Sequence, residues 1–287
     1  VALNCPRPTM NSLSQEKLVS AALLGVVALG GGLGPLLMRR THVPPEVIAG
    51  CNAFAGGVLL SASLVHMMPD ATESLEAVAE KVQETLGQVG QFPVAPTIAG
   101  VFFFCLCYLE ALSVQAVNHY SDLKGGVQAG YLEAGYHPMD KQAPATAVAL
   151  VVSLSVHSFL EGVGIGAQTS MANLGVVVIA VLAHKGLALF AMTSALVKGQ
   201  AAPRLCCALV VLVALCTPVG ILLGDLAEAS FGAAGQGAVL AAASGTFLFV
   251  AIPELLMPTF ADGKHKVLNV ALSSVGFLTM AALAAYA

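Results

Sequence analysis

In the stretch VHSFLEGVGIGAQ, residues 156–168, His157 and Glu161 stand four residues apart in a run that is otherwise apolar. That interval is about one helical turn, so the imidazole and the carboxylate project from the same helix face and can converge on one point. A neutral imidazole nitrogen and a carboxylate oxygen are two ligands for a divalent metal, and the spacing resembles the ligand pair that zinc enzymes carry on a helix. His184 lies in the next apolar run. The short connection TSMAN makes the two runs antiparallel neighbours and puts His184 at a depth similar to that of His157. A histidine standing alone in a helix is adequately explained as a hydrogen-bonded packing residue. The conjunction of His157, Glu161 and His184 at one depth points instead to a metal site.

Other ionisable residues fall inside apolar runs, where each costs roughly several kcal/mol unless paired, hydrated or neutralised. Lys185 follows His184 near the middle of its run. It either snorkels toward water or places its ammonium against Glu161 and hydroxyl oxygens such as that of Ser158. Glu110 ends the segment VFFFCLCYLE and has a structural reading, as partner of a helix terminus or a lysine. Glu254 follows Pro253 near a helix end, where interface exposure and a role in cation exit are both open. His66, Asp70 and Glu73 sit where the second run meets an acidic segment. They are candidates for an entrance that concentrates cations, against the plainer reading of a solvated charged face.

The elements that must position these residues are set by composition. Only 10% of the 287 residues are charged, 57% are hydrophobic, and the mean hydropathy is +0.84, so the chain is an integral membrane protein. Eight runs are each close to the roughly 20 residues needed to cross about 30 Å of hydrocarbon. They cover 17–38, 46–68, 94–118, 144–168, 172–197, 204–224, 234–257 and 267–286. The expected fold class is an all-α membrane protein, a single polytopic domain over 1–287. Its longest connection, 120–143, is glycine-rich and reads as a flexible linker on the cytoplasmic side.

Basic residues set the orientation. Arg39, Arg40, Lys124, Lys141, Lys198, Arg204, Lys264 and Lys266 all fall in loops on one side of an eight-span chain, whereas Arg7, Lys17 and Lys81 fall on the other. The positive-inside rule makes the first side cytoplasmic and both termini extracytoplasmic. The acidic segment PDATESLEAVAEKVQETLGQ then lies outside, as an amphipathic helix or helix extension. The cysteines lie mostly in or beside apolar runs and show no zinc-knuckle or redox spacing. No phosphate-binding loop occurs, and with a net charge of −4 no nucleic-acid partner is expected.

Several segments together resemble the ZIP (Zrt-, Irt-like) family of divalent metal transporters. HSFLEGVGIGAQ is similar to the family's fourth-helix signature and AHKGLAL to its fifth; VHMMPDA, CTPVGILLG and GTFLFVAIPELL follow the second, sixth and seventh in order. The resemblance implies a ZIP-like bundle of eight helices with external termini and a metal site between helices 4 and 5. Zinc is the likeness's first choice of cargo, moved toward the cytosol, though the ligand set also suits Fe2+, Mn2+ or Cd2+. It also implies a homodimer in a lipid bilayer, at the plasma membrane, with a bundle of helices 1, 4, 5 and 6 moving against the rest. Ser158, Lys185, Ala188 and Thr217 stand where many relatives place further ligands for a second metal. This pattern resembles the eukaryotic branch with His-Lys in the fifth helix, in which Lys185 would take the place of the second cation. Two other classes use the same residues: an intramembrane zinc-dependent hydrolase, with Glu161 or Glu110 as base, and a membrane scaffold or receptor that moves no metal.

Overall fold

A computed structural model describes residues 10–41, 43–86, 92–123, 143–261 and 265–285. Among them are eight helices long and apolar enough to cross a membrane. We number these α1 (Ser12–Arg40), α2 (Pro45–Ser74), α3 (Val94–Ala116), α4 (Ala147–Gly166), α5 (Met171–Lys198), α6 (Pro203–Ala227), α7 (Gly232–Ala261) and α8 (Lys266–Ala284). No strand occurs among the described residues. An all-helical solution is what lipid demands, because a helix satisfies its backbone N–H and C=O groups within one segment. The fold is thus that of a multi-pass integral membrane protein. Most of the 120–143 linker lies outside the described residues.

The acidic segment carries α2 onward: its helix reaches Ser74, turns at Leu75, and resumes as a surface helix over Glu76–Leu86. The sixth and seventh runs are joined almost without a loop. The chain turns at Gly232, whose φ of 54° and ψ of 176° suit glycine and strain a residue with a Cβ. Two of the spans contain a π-helical stretch, Ala62–Met67 in α2 and Val250–Leu256 in α7. Each holds one of the ionisable residues noted above, His66 and Glu254. Each also adjoins or contains a proline, Pro69 or Pro253, whose ring disturbs the regular i−4 ladder.

Close helix approach at glycine sorts the spans into two groups. In the first, a methyl group on Gly162 would strike the Thr217 carbonyl and one on Gly220 the Phe159 carbonyl, so α4 and α6 meet backbone to backbone. Gly31 abuts the backbone of Gly186 in the same way, joining α1 to α5. An ion pair of 2.6 Å from the buried Lys17 Nζ to Asp225 Oδ1 ties α1 to α6. In the second group, Gly57 and Gly276 seat α2 against α8, and Gly245 rests on the Ala99 carbonyl of α3. Ser63 and Ser244 hydrogen-bond across α2 and α7, with their hydroxyls 2.8 Å apart.

Between α1, α4, α5 and α6 on one hand and α2, α3, α7 and α8 on the other, contact is looser. A Cβ added to Gly164 of α4 would meet the Val239 side chain of α7 only at an ordinary contact distance, 4.0 Å. An apolar cavity of about 340 Å³, lined by residues such as Phe54, Leu187 and Met280, separates α5 from α2 and α8. Small residues drive helix association in lipid by letting backbones approach. Across this seam the described residues show no glycine seated on a facing backbone carbonyl, as they do within each group, and the two groups meet mainly through side chains.

The glycine contacts make a stability prediction. Gly57→Ala is expected to destabilise the protein by about 1 to 3 kcal/mol through overpacking against the Ser273 carbonyl. Gly25→Ala, in the same kind of helix but with no atom within 4 Å, should be neutral or slightly stabilising. Thermal unfolding of both variants in detergent checks the contrast.

Candidate metal site

His157 and Glu161 lie on α4, one turn apart, and His184 and Lys185 lie on the adjacent α5. Ligand atoms of His157, Glu161 and His184 all fall within 4.8 Å of one another, and all three residues are buried. The fold therefore brings together the three residues whose types and spacing suggested a metal centre.

Glu161 is at the middle of the cluster. Its Oε1 accepts a hydrogen bond of 2.8 Å from His184 Nε2 and lies 3.5 Å from His157 Nε2, a separation too long for a hydrogen bond. Its Oε2 accepts one of 2.6 Å from Lys185 Nζ, which also donates 3.0 Å to Ser158 Oγ. Lys185 is only 1% exposed, so it does not snorkel. The ammonium is placed as the pairing alternative required, against Glu161 and a hydroxyl. Thr217 Oγ1 in turn donates 3.0 Å to the Ser158 carbonyl, bracing α4 against α6.

Two ring nitrogens in the cluster, His157 Nε2 and His184 Nδ1, are buried without a hydrogen-bond partner. Leaving such an atom unsatisfied is costly, and a lone pair offered to a cation resolves the cost. The other side of His157 is fully engaged: Nδ1 lies 2.9 Å from Thr246 Oγ1 and 3.2 Å from the Ala243 carbonyl, both on α7. Phe247 stacks on the His157 ring with centroids 3.5 Å apart and meets the His184 ring edge-on at 4.9 Å. Neither Thr246 nor Phe247 was singled out among the candidate residues. Both lie in GTFLFVAIPELL, the segment that resembles the family's seventh helix, which puts a hydroxyl next to an aromatic ring within an apolar run.

A cavity of about 320 Å³ reaches the cluster, with His66, Asp70, Gln168, Gln236, Glu161 and His184 among its walls. It also touches Ser74 at the end of α2 and Asn173 at the start of α5, so it opens on the face bearing those helix ends. His66 Nδ1 sits 3.4 Å from the largely exposed Asp70 Oδ2. Of the entrance candidates, His66 and Asp70 line the cavity, whereas Glu73 is exposed and does not. Glu254 lies elsewhere. It is 8% exposed, and neither carboxylate oxygen has a hydrogen-bond partner among the described residues.

The sequence profile described as "ZIP Zinc transporter" matches residues 14–124 and 133–284. Mouse zinc transporter ZIP2 is 30% identical over 311 residues, covering 97% of this chain and 100% of its own. Human zinc transporter ZIP1 is 28% identical, with 94% and 90% covered, and human zinc transporter ZIP3 is 26% identical, with 85% and 88% covered. These relatives carry the names of transporters, which are not enzymes, and the hydrolase alternative gains nothing from them. With a family profile spanning nearly its whole length, the chain belongs to the ZIP zinc transporter family.

Proposed function

We propose that this protein carries zinc across the membrane toward the cytosol, and that the ion dwells between α4 and α5 on His157, Glu161 and His184. The observation that carries the reading is the convergence of three buried ligand atoms within 4.8 Å, two of them imidazole nitrogens. Imidazole with one carboxylate is a borderline donor set that suits zinc better than magnesium or calcium. The names of the relatives support the same cargo.

The charges of the site favour transport over storage. Glu161 and Lys185 cancel, and two neutral imidazoles add nothing, so an entering Zn2+ raises the local charge to +2 in a poorly polarisable setting. Two or three carboxylates would hold the ion tightly; one that is already shared holds it loosely enough to release. Lys185 Nζ also occupies the space beside Glu161 Oε2 that a second cation would need, so the site takes one ion.

Entry proceeds from the cavity walled by His66 and Asp70, where the ion sheds part of its water. Glu161 Oε1 then gives up its hydrogen bond from His184 in favour of the metal, and the neutral His184 ring keeps its single proton on whichever nitrogen does not face the ion. A shift of α1, α4, α5 and α6 along the loose seam against α2, α3, α7 and α8 opens the site to the other face, with Glu254 on the exit side. The distribution of Lys and Arg supports external termini. Homodimerisation and a plasma-membrane location rest on the family resemblance.

Two tests follow. Replacing His157, Glu161 or His184 with Ala is expected to reduce zinc uptake into proteoliposomes by roughly tenfold or more, with folded protein retained in the two histidine variants; Glu161→Ala also strands the buried Lys185 ammonium, so its uptake is read per folded transporter. Near-normal uptake in two of the three variants would sink the assignment. Separately, Lys185→Met should destabilise the metal-free protein by about 3 kcal/mol, because Glu161 is left as an unpaired buried charge. The double variant Glu161→Gln with Lys185→Met should recover most of that loss. Thermal unfolding in metal-free detergent reads both; an unchanged melting curve for the single variant contradicts the ion pair.

A further inference from the structure

His157 is held from behind by a helix of the other group. Thr246, fully buried on α7, donates its hydroxyl proton to the Ala243 carbonyl at 2.6 Å. With that proton committed, Thr246 Oγ1 faces His157 Nδ1 at 2.9 Å only as an acceptor. The Ala243 carbonyl, 3.2 Å from the same nitrogen, is an acceptor by nature. Two acceptors aimed at one ring nitrogen require a proton on it, so His157 carries Nδ1–H and presents a bare Nε2 to Glu161 and His184. The buried Nε2 without a partner is the other half of the same observation.

We propose that Thr246 is a positioning residue for the cargo site: it fixes the tautomer and ring plane of His157 so that Nε2 is ready to ligate zinc. This deepens the site reading above and rests on it. Since Thr246 and His157 belong to different helix groups, the hydrogen bond exists only in this relative register. When α4 slides along α7, His157 loses both acceptors, the ring is free to turn or change tautomer, and the site loosens its hold on the ion. Phe247, on the same helix as Thr246, stacks on the face of the His157 ring and helps set its plane in this register. Ligand-orienting partners of this kind typically contribute 10- to 100-fold in metal affinity.

The test compares Thr246→Val, which keeps the shape and removes the hydroxyl, with Thr246→Ser, which keeps the hydroxyl, and with His157→Ala. Zinc titration of the purified full chain in metal-free detergent should show affinity about tenfold weaker for T246V, because the longer bond to Ala243 remains, and close to the parent's for T246S. In proteoliposomes T246V should raise half-saturating zinc by a similar factor and leave the maximal rate per folded transporter unchanged. A merely structural threonine would instead lower the amount of folded protein and the maximal rate. Selective 15N labelling of histidine reads the tautomer directly in the unaltered chain, with His157→Ala identifying the signal, and keeps the test open should T246V not fold. A proton on Nε2 of His157 in the metal-free parent overturns the proposal. So does parental zinc affinity in T246V where H157A abolishes binding, and that pattern leaves the site itself standing. Parental affinity in H157A would overturn the site and this role together.

Discussion

One carboxylate organises the centre of this protein. Glu161 divides its two oxygens, giving one to Lys185 at 2.6 Å and the other to His184 at 2.8 Å. An ionised carboxylate in the middle of a bilayer is sustained only by such partners, and each partner is correspondingly tied to it. The consequence is a cluster in which one carboxylate and one ammonium balance, with an imidazole on one carboxylate oxygen and the space beside the other filled by Lys185. Lys185 in turn needs Ser158, and Ser158 is fixed by the hydroxyl of Thr217 on α6. The position and charge of the whole cluster thus descend from the demands of a single buried anion.

The glycine seams serve that constraint. Holding α4 against α6 and α5 against α1 at backbone distance makes one packed unit of the helices that carry the cluster. The neighbouring body meets it mainly through side chains. Among the hydrogen bonds that cross this boundary are those of His157 to Thr246 and Ala243 and that of Gln236 Nε2 to the Ala167 carbonyl. The boundary between the two groups thus carries few directional bonds and includes an apolar gap.

Much of this was legible in the sequence. Eight apolar runs and their short separators specify the spans, because lipid leaves the backbone no alternative to helix. The His157 and Glu161 pairing follows from one helical turn, and the depth of His184 follows from a five-residue connection. Lys185 was left between two readings, and its burial removes one of them. What the sequence concealed depends on helices far apart in the chain. Thr246 and Phe247 look like ordinary members of an apolar run until α7 is laid against α4. The π-helical turns that carry His66 and Glu254 have no local signature beyond a nearby proline. The interaction of Lys17 with Asp225 joins residues separated by most of the chain, with no periodicity to betray it.

The place a zinc ion takes in the protein tests the role of Glu161 and its neighbours most directly. Crystals of the protein grown with limiting zinc, measured at the zinc absorption edge, should show one anomalous peak within the helices. Its ligands should be His157 Nε2, a nitrogen of His184 and an oxygen of Glu161, at about 2.0 to 2.2 Å, with Lys185 still on the far oxygen. A peak held by other residues inside the membrane, or a second ion beside Glu161 where the Lys185 ammonium now sits, would contradict it.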